Sequence, residues 1–251
     1  AAAMKEYALM TLKFESLYRA VFENRLTKVF LRFVPSLNEL TIQGKIWFHA
    51  EEQKDGARKF DHIVVDCPST GHGLKFLRVA RIVGDASRVG PMADKTKLMA
   101  AVVEDPKRTA LHVVALPEEL PVNEARDLVR QVRATQAAPL GAVFFNQRLQ
   151  RLFDDDTERS LAILERTRAA DHGTDHGGEH GDRRALEQLL EVASRRRQRE
   201  ELEREMKKKI DEIGMPIVEL PMLLVPSLGK TEIDRFADLI DDAAGDARRS
   251  A

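Results

Sequence analysis

The stretch Phe60-Asp61-His62-Ile63-Val64-Val65-Asp66-Cys67-Pro68-Ser69-Thr70-Gly71-His72-Gly73-Leu74 decides how this chain is read. A short β-branched apolar run ends on an acid and passes straight into a turn of Pro, Ser, Thr and Gly. A continuous apolar run of this length, bounded by turn residues, predicts a strand over 62–66 that is buried on both faces, as in a parallel sheet. Three further runs have the same character, at 111–116, 142–146 and 217–220. Helical patterns separate them. Over 121–133, Val122, Ala125, Leu128, Val129 and Val132 fall on one helical face, with Pro121 near a favoured first-turn position. Strand-helix-strand alternation predicts an α/β fold built on a doubly wound, mostly parallel sheet. The alternative is a helical bundle with buried apolar turns.

Outward from this centre, residues 4–33 carry Leu9, Leu12, Leu17, Val21, Phe22, Leu26, Val29, Phe30 and Phe33 at helical steps, predicting a long amphipathic helix. Pro35 stops it, a second helix is predicted over 38–51, and Lys54-Asp55-Gly56 makes a turn. Residues 168–182 are rich in His and Gly and read as a flexible surface insert. His172, His176 and His180 stand four apart, which on a helix would suit Zn²⁺ or Ni²⁺, but the interleaved Gly173, Gly177, Gly178 and Gly181 argue for a solvated loop. Residues 183–213 form a highly charged pattern, expected as an exposed helix in which Glu200, Glu201 and Glu203 follow the Arg195-Arg196-Arg197 run. A last strand and a C-terminal helix are expected over 214–251.

Composition bounds the function. The chain of 251 residues carries 40 Lys and Arg against 41 Asp and Glu, a formal charge of −1, so no basic field argues for nucleic acid. Charged residues make up 32%, above the usual ~25%, and point to solvated helices rather than disorder beside a 43% hydrophobic content. Cys67 is the single cysteine, which excludes an intrachain disulfide framework and fits a reducing, cytoplasmic setting. No apolar run approaches the ~20 residues of a membrane helix, and no signal peptide opens the chain. It begins Ala1-Ala2-Ala3 with a helical pattern already under way, and reads as a fragment of a longer protein.

In open α/β sheets the ligand crevice lies at the carboxyl ends of the strands. Asp66 at such an end is placed to hold Mg²⁺, directly or through water, beside a nucleotide phosphate. Equally, it would cap the turn into Pro68 and Ser69. The whole string Asp66-Cys67-Pro68-Ser69-Thr70-Gly71-His72-Gly73-Leu74 resembles the signature of the arsenical-pump ATPase (ArsA) family, which includes the eukaryotic factor that targets tail-anchored membrane proteins. Pro35-Ser36-Leu37-Asn38-Glu39-Leu40, Val89-Gly90-Pro91, the block from Leu116 to Glu124 and Phe145-Asn146-Gln147 are similar to further family blocks in the same order. Ser36 departs from the family's Gly.

The resemblance implies a nucleotide domain of the P-loop NTPase type with a deviant Walker A loop and a helical subdomain. It implies one incomplete domain over 1–251, with the helical subdomain at 1–55 and the core with switch II at 56–167. ATP and Mg²⁺ are the implied cofactors. Asp66 would lie near the Mg²⁺ at the start of switch II, and Cys67, Pro68, Ser69, Thr70, Gly71 and His72 would form the switch that senses the γ-phosphate. Gly71 and Gly73 would supply its backbone freedom, and Leu74, Phe76 and Leu77 would pass the change to the N-terminal helices. Asn146, with Gln147 beside it, would bind the adenine. Glu124 would stand near the nucleotide across a dimer interface. Read by themselves, Asn146 is also a strand-terminal turn residue and Glu124 a solvated or capping helix residue.

Departures from the family pattern matter as much. The glycine-rich phosphate loop and the switch I Asp are not in this sequence and would lie upstream of Ala1. Gly229-Lys230-Thr231 is no substitute, since position 224, where such a loop needs Gly or Ala, is Leu. The paired zinc cysteines expected soon after Asn146 are replaced by Leu149-Gln150-Arg151-Leu152-Phe153-Asp154, and a lone Cys67 cannot make a soft-metal thiolate site. The resulting expectation is a cytoplasmic ATPase that couples hydrolysis to helix movement. It would act as a homodimer or with a paralogous ATPase, and a protein or membrane-associated client is open. The alternative is a catalytically inactive scaffold partner of such an enzyme.

Overall fold

The computed structural model describes residues 37–86, 91–170 and 180–249. The helix predicted over 4–33, the Pro35-Ser36 and Val89-Gly90 pairs, and His172 and His176 lie outside the described residues. The chain divides into two compact units. One takes the residues up to Leu111 together with Asp127–Leu140, and the other takes His112–Arg126 and Gly141–Ala251.

In the first unit, helix α1 (Leu37–Glu51) is followed by a minimal antiparallel hairpin, β1 (Gln53–Lys54) and β2 (Ala57–Arg58). Its turn places Asp55 at φ 54° and Gly56 at φ 83°, the doubly left-handed geometry for which Asp-Gly is the preferred pair. Helices α2 (Thr70–Ala86) and α3 (Pro91–Glu104) pack on α1 and on each other, burying Phe76, Val79, Ala80, Ala93, Met99 and Val102. Pro91 opens α3 in the first turn, where its missing N–H would have no intrahelical acceptor. Gly84 lets α2 approach α3, since a Cβ there would lie 3.1 Å from Thr96 Oγ1.

The predicted strand over 62–66 is not formed. These residues are irregular and exposed, with Val64 at 95%. A both-faces-buried strand needs a ladder partner beside it and a layer on each side. Among the described residues no strand pairs with this run, so its backbone is left to solvent.

The second unit holds a three-stranded parallel sheet in the order β3 (Leu111–Ala115), β4 (Leu140–Arg148), β5 (Ile217–Pro221). Thus three of the four predicted strands form, and the mixed helix-and-strand architecture is that of an α/β chain. Burial alternates along the first strand instead of covering both faces: Val113 and Ala115 are buried while Val114 is 64% exposed. Helix α4 (Glu119–Thr135) links β3 to β4 and runs through both units, with Val122, Ala125, Val129 and Val132 buried at three- and four-residue steps. Each buried valine contributes about 1.5 kcal/mol or more by leaving water.

Helices α5 (Asp155–Ala170), α6 (His180–Asp211) and α7 (Lys230–Arg249) complete the unit. The predicted solvated character of α6 is corrected. Leu190, Ala193, Glu203, Met206 and Ile210 are buried along one side, so the helix is half core. At α7, Gly229 is the cap residue: its carbonyl accepts from Ile233 N–H, and its own N–H donates to Glu232 Oε2 at 2.8 Å. That is half of a capping box. A carboxylate therefore occupies the amide that a phosphate loop at Gly229-Lys230-Thr231 would have offered.

Candidate functional site

The sequence-predicted site residues divide between the two units. In the first, Asp66, Pro68, Ser69 and His72 are exposed and lead into α2. The Ser69 carbonyl accepts from His72 N–H at 2.9 Å and from Gly73 N–H at 2.8 Å, so Ser69 caps the helix and Thr70, Gly71 and His72 are its first turn. The N-terminus of a 17-residue helix favours negative charge. Cys67 is half-buried. Burial first, and then the neighbouring Asp66 carboxylate, push its thiol above the ordinary range.

The freedom expected of Gly71 is not used in this conformation. Its φ is not positive, and a Cβ there would meet nothing within 4 Å. Gly73 is the tighter position, with Pro68 O 3.1 Å from where a Cβ would lie.

Beyond the motif, α2 is fastened to α1 by one neutral side chain. Gln43, 3% exposed, donates from Nε2 to Phe76 O at 2.6 Å and accepts at Oε1 from Ala80 N–H at 3.2 Å. Its carboxamide thus brackets both ends of one helical rung. Phe76, expected from the sequence to transmit a change from the motif, is one of the two residues so held.

In the second unit, Asn146 and Gln147 stand at the carboxyl end of β4 and break its ladder. Phe145 pairs with Glu219 but Arg148 pairs with Pro221, so β4 carries an extra residue at this point. Gln147 takes φ 59°, a left-handed conformation that costs a non-glycine residue about 1–3 kcal/mol. Its N–H donates to Asn146 Oδ1 at 2.8 Å. Bulges of this kind re-aim side chains and collect beside active sites. Glu124 lies exposed on the second turn of α4.

Past the bulge lies a clamp that the sequence pattern does not predict. Arg148 Nη1 and Leu149 N–H both donate to Glu203 Oε2 at 3.0 Å, and Arg148 Nε donates to Glu219 Oε2 at 3.2 Å. One helical turn earlier on α6, Glu200 Oε1 accepts from Leu152 N–H at 3.2 Å, and a turn before that Arg196 donates to Gln150 O. Arg199 joins the same helix to Glu118, just before α4, at 2.9 Å. Glu203 is 2% exposed. Its Oε1 is buried without a hydrogen-bond partner and faces Arg199 Nε at 3.9 Å. Burial pushes the Glu203 carboxyl above its ordinary range, against the opposing pull of the Leu149 N–H and the Arg148, Arg199 and Arg196 guanidiniums. A signal is present in the sequence: Glu203 lies three and seven residues before the apolar Met206 and Ile210, an acid on their side of the helix.

Asp66 is exposed, and no group of three or more metal-ligating side chains occurs among the described residues. One exposed acid suits Mg²⁺, which keeps several waters and shares its remaining ligands with substrate phosphates. It does not suit a metal that needs an all-protein cage. No helix among the described residues is long and apolar enough to cross a membrane.

No protein-family model matches the chain. Over 116 residues it is 31% identical to the ATPase BagA of Mycobacterium tuberculosis strain H37Rv, and equally to the protein Mb3704 of Mycobacterium bovis, which also carries an ATPase name. The aligned stretch is 46% of this chain and 34% of each relative, so the chain spans about a third of the length of the curated relatives it matches.

Proposed function

We propose that this chain carries the switch and the base-binding strand of a Mg-ATP hydrolase of the arsenical-pump type, acting as a homodimer or with a paralogous ATPase in the cytoplasm. The observation that carries the reading is the run from Asp66 through Pro68 into Thr70-Gly71-His72 at the head of α2. A single short stretch presents a carboxylate for a hydrated cation and a helix N-terminus for an anion. Similarity to ATPase-named relatives supports the same reading.

Bound Mg²⁺ and ATP would supply a polarised γ-phosphoryl group for transfer to water. The chain's own residues then have separable tasks. Asp66 would hold the cation, through water or directly. Thr70, Gly71 and His72, with Cys67, Pro68 and Ser69 leading into them, would respond to the presence of the terminal phosphate. Through Phe76 and Gln43, that response would reach α1. Asn146 offers both a donor and an acceptor on one planar group, which matches the N6 and N7 edge of adenine and mismatches guanine. Gln147 would fix its direction, and Glu124 would approach the nucleotide from a second subunit. A protein or membrane-associated client would read the helix movement.

The test is phosphate release by the purified full-length protein with Mg-ATP. Hydrolysis that disappears with Asp66→Asn while the fold persists supports the enzyme. A well-folded protein that binds but never hydrolyses ATP would favour the scaffold alternative.

A further inference from the structure

The clamp between α6 and residues 148–152 has no task in the proposed hydrolysis cycle. It grips three peptide units beyond the Asn146–Gln147 bulge, where Gln147 holds a left-handed backbone conformation. A left-handed Gln persists only where its surroundings over-determine it, and Glu203 supplies two of those constraints through a single oxygen, Oε2. Glu203 reaches no candidate ligand group itself. A buried carboxylate with one oxygen lacking a hydrogen-bond partner is a costly choice for holding a loop, since an apolar side chain would pack without that penalty.

We propose that Glu203 is a positioning residue for base recognition: by fixing Arg148 and the Leu149 amide it holds the bulge that directs the Asn146 carboxamide, and so sets the preference for adenine over guanine. This rests on the proposed role of Asn146 in binding the base. It also makes α6 part of the nucleotide site, because Arg196, Glu200 and Glu203 grip the same loop from successive turns.

Calorimetric titration of the full-length protein with Mg-ATP and with Mg-GTP tests this, with thermal unfolding followed in each variant. The variants are Asn146→Asp, Glu203→Leu, and the double change Glu203→Leu with Arg148→Met. The double change replaces the ion pair by apolar groups and leaves no buried charge unpaired. Asn146→Asp should lower the ATP-over-GTP affinity ratio by about tenfold or more. Glu203→Leu should lower it by about tenfold, and the double variant should do so while recovering thermal stability. If Glu203 served stability alone, the double variant would restore the ratio together with the melting temperature, and the proposal would be overturned. It is also overturned if both Glu203 variants keep the unmodified ratio while Asn146→Asp loses it, which leaves the base-site reading standing. A ratio indifferent to Asn146→Asp removes the base-site reading itself and this proposal with it.

Discussion

Residues 60–74 and residues 141–152 begin alike in sequence, each an apolar run closed by a polar residue, and the protein treats them in opposite ways. The second run is a paired strand whose end is bent by a bulge and then gripped by buried charge. The first is a largely exposed, unpaired segment that leads into a helix. Apolar sequence makes a strand only where a neighbour completes its ladder, and chemistry at a strand end is held only as well as the loop beyond it. On this reading the Asn146 region is built in advance, and the Asp66 region is left to be ordered by its ligands.

The contrast can be broken at several points. The largest effect is expected on the built side. Arg148→Ala leaves Glu203 buried without its principal partner and should cost about 3–5 kcal/mol in stability by urea denaturation. Next is Asp66→Asn on the open side, which should lower Mg-ATP hydrolysis by the full-length protein about 10²–10³-fold, as loss of a group that stabilises transition-state charge does. Its urea midpoint should hardly move, because Asp66 is exposed. Equal losses of stability in the two variants would erase the distinction.

Glycine substitutions sharpen it on a smaller scale. A Cβ at Gly141 would lie 2.6 Å from the His112 ring, whose Nδ1 accepts the Ala142 N–H at 3.1 Å. Gly141→Ala should therefore destabilise by about 1–3 kcal/mol. Gly71→Ala meets open space in a helical turn and should be neutral or stabilising by up to about 1 kcal/mol.

The smallest effect is one of pH. Because its folded carboxyl is pushed up by burial, Glu203 binds its proton more tightly in the folded chain than in the unfolded one. Its contribution to stability is present in acid and lost as pH rises through the folded value. Glu203→Gln removes that dependence, so the variant should gain on the unmodified protein between acid and neutral pH. Glu52 runs the other way, held low first by the Lys59 ammonium and then by His49. Its contribution is present above the ordinary carboxyl range and lost as pH falls through the folded value.

How legible these features are depends on the kind of interaction. Strands β3, β4 and β5 show in the sequence as continuous apolar runs and helix α4 as a helical period, and their partners lie within this chain. The run over 62–66 shows the same pattern without a partner among the described residues, which no local reading can detect. The motif from Asp66 to His72 is legible as a string of residue types. The clamp is legible only at Glu203, an acid on the side of Met206 and Ile210 within a run of alternating charge that suits a solvated helix; only tertiary structure brings Arg148 and the Leu149 amide to it. The bulge is equally hidden, since Gln147 carries no glycine signal for its positive φ.

Hydrogen exchange on the full-length protein, with and without Mg-ATP, tests the contrast most directly. Amides of residues 144–152 should be protected before nucleotide is added and change little on binding. Amides of residues 66–73 should exchange quickly without nucleotide and become protected with Mg-ATP, and Asp66→Asn should blunt that gain. If residues 66–73 exchange at the same rate with and without saturating Mg-ATP, this stretch is not a nucleotide-ordered switch and the account is contradicted.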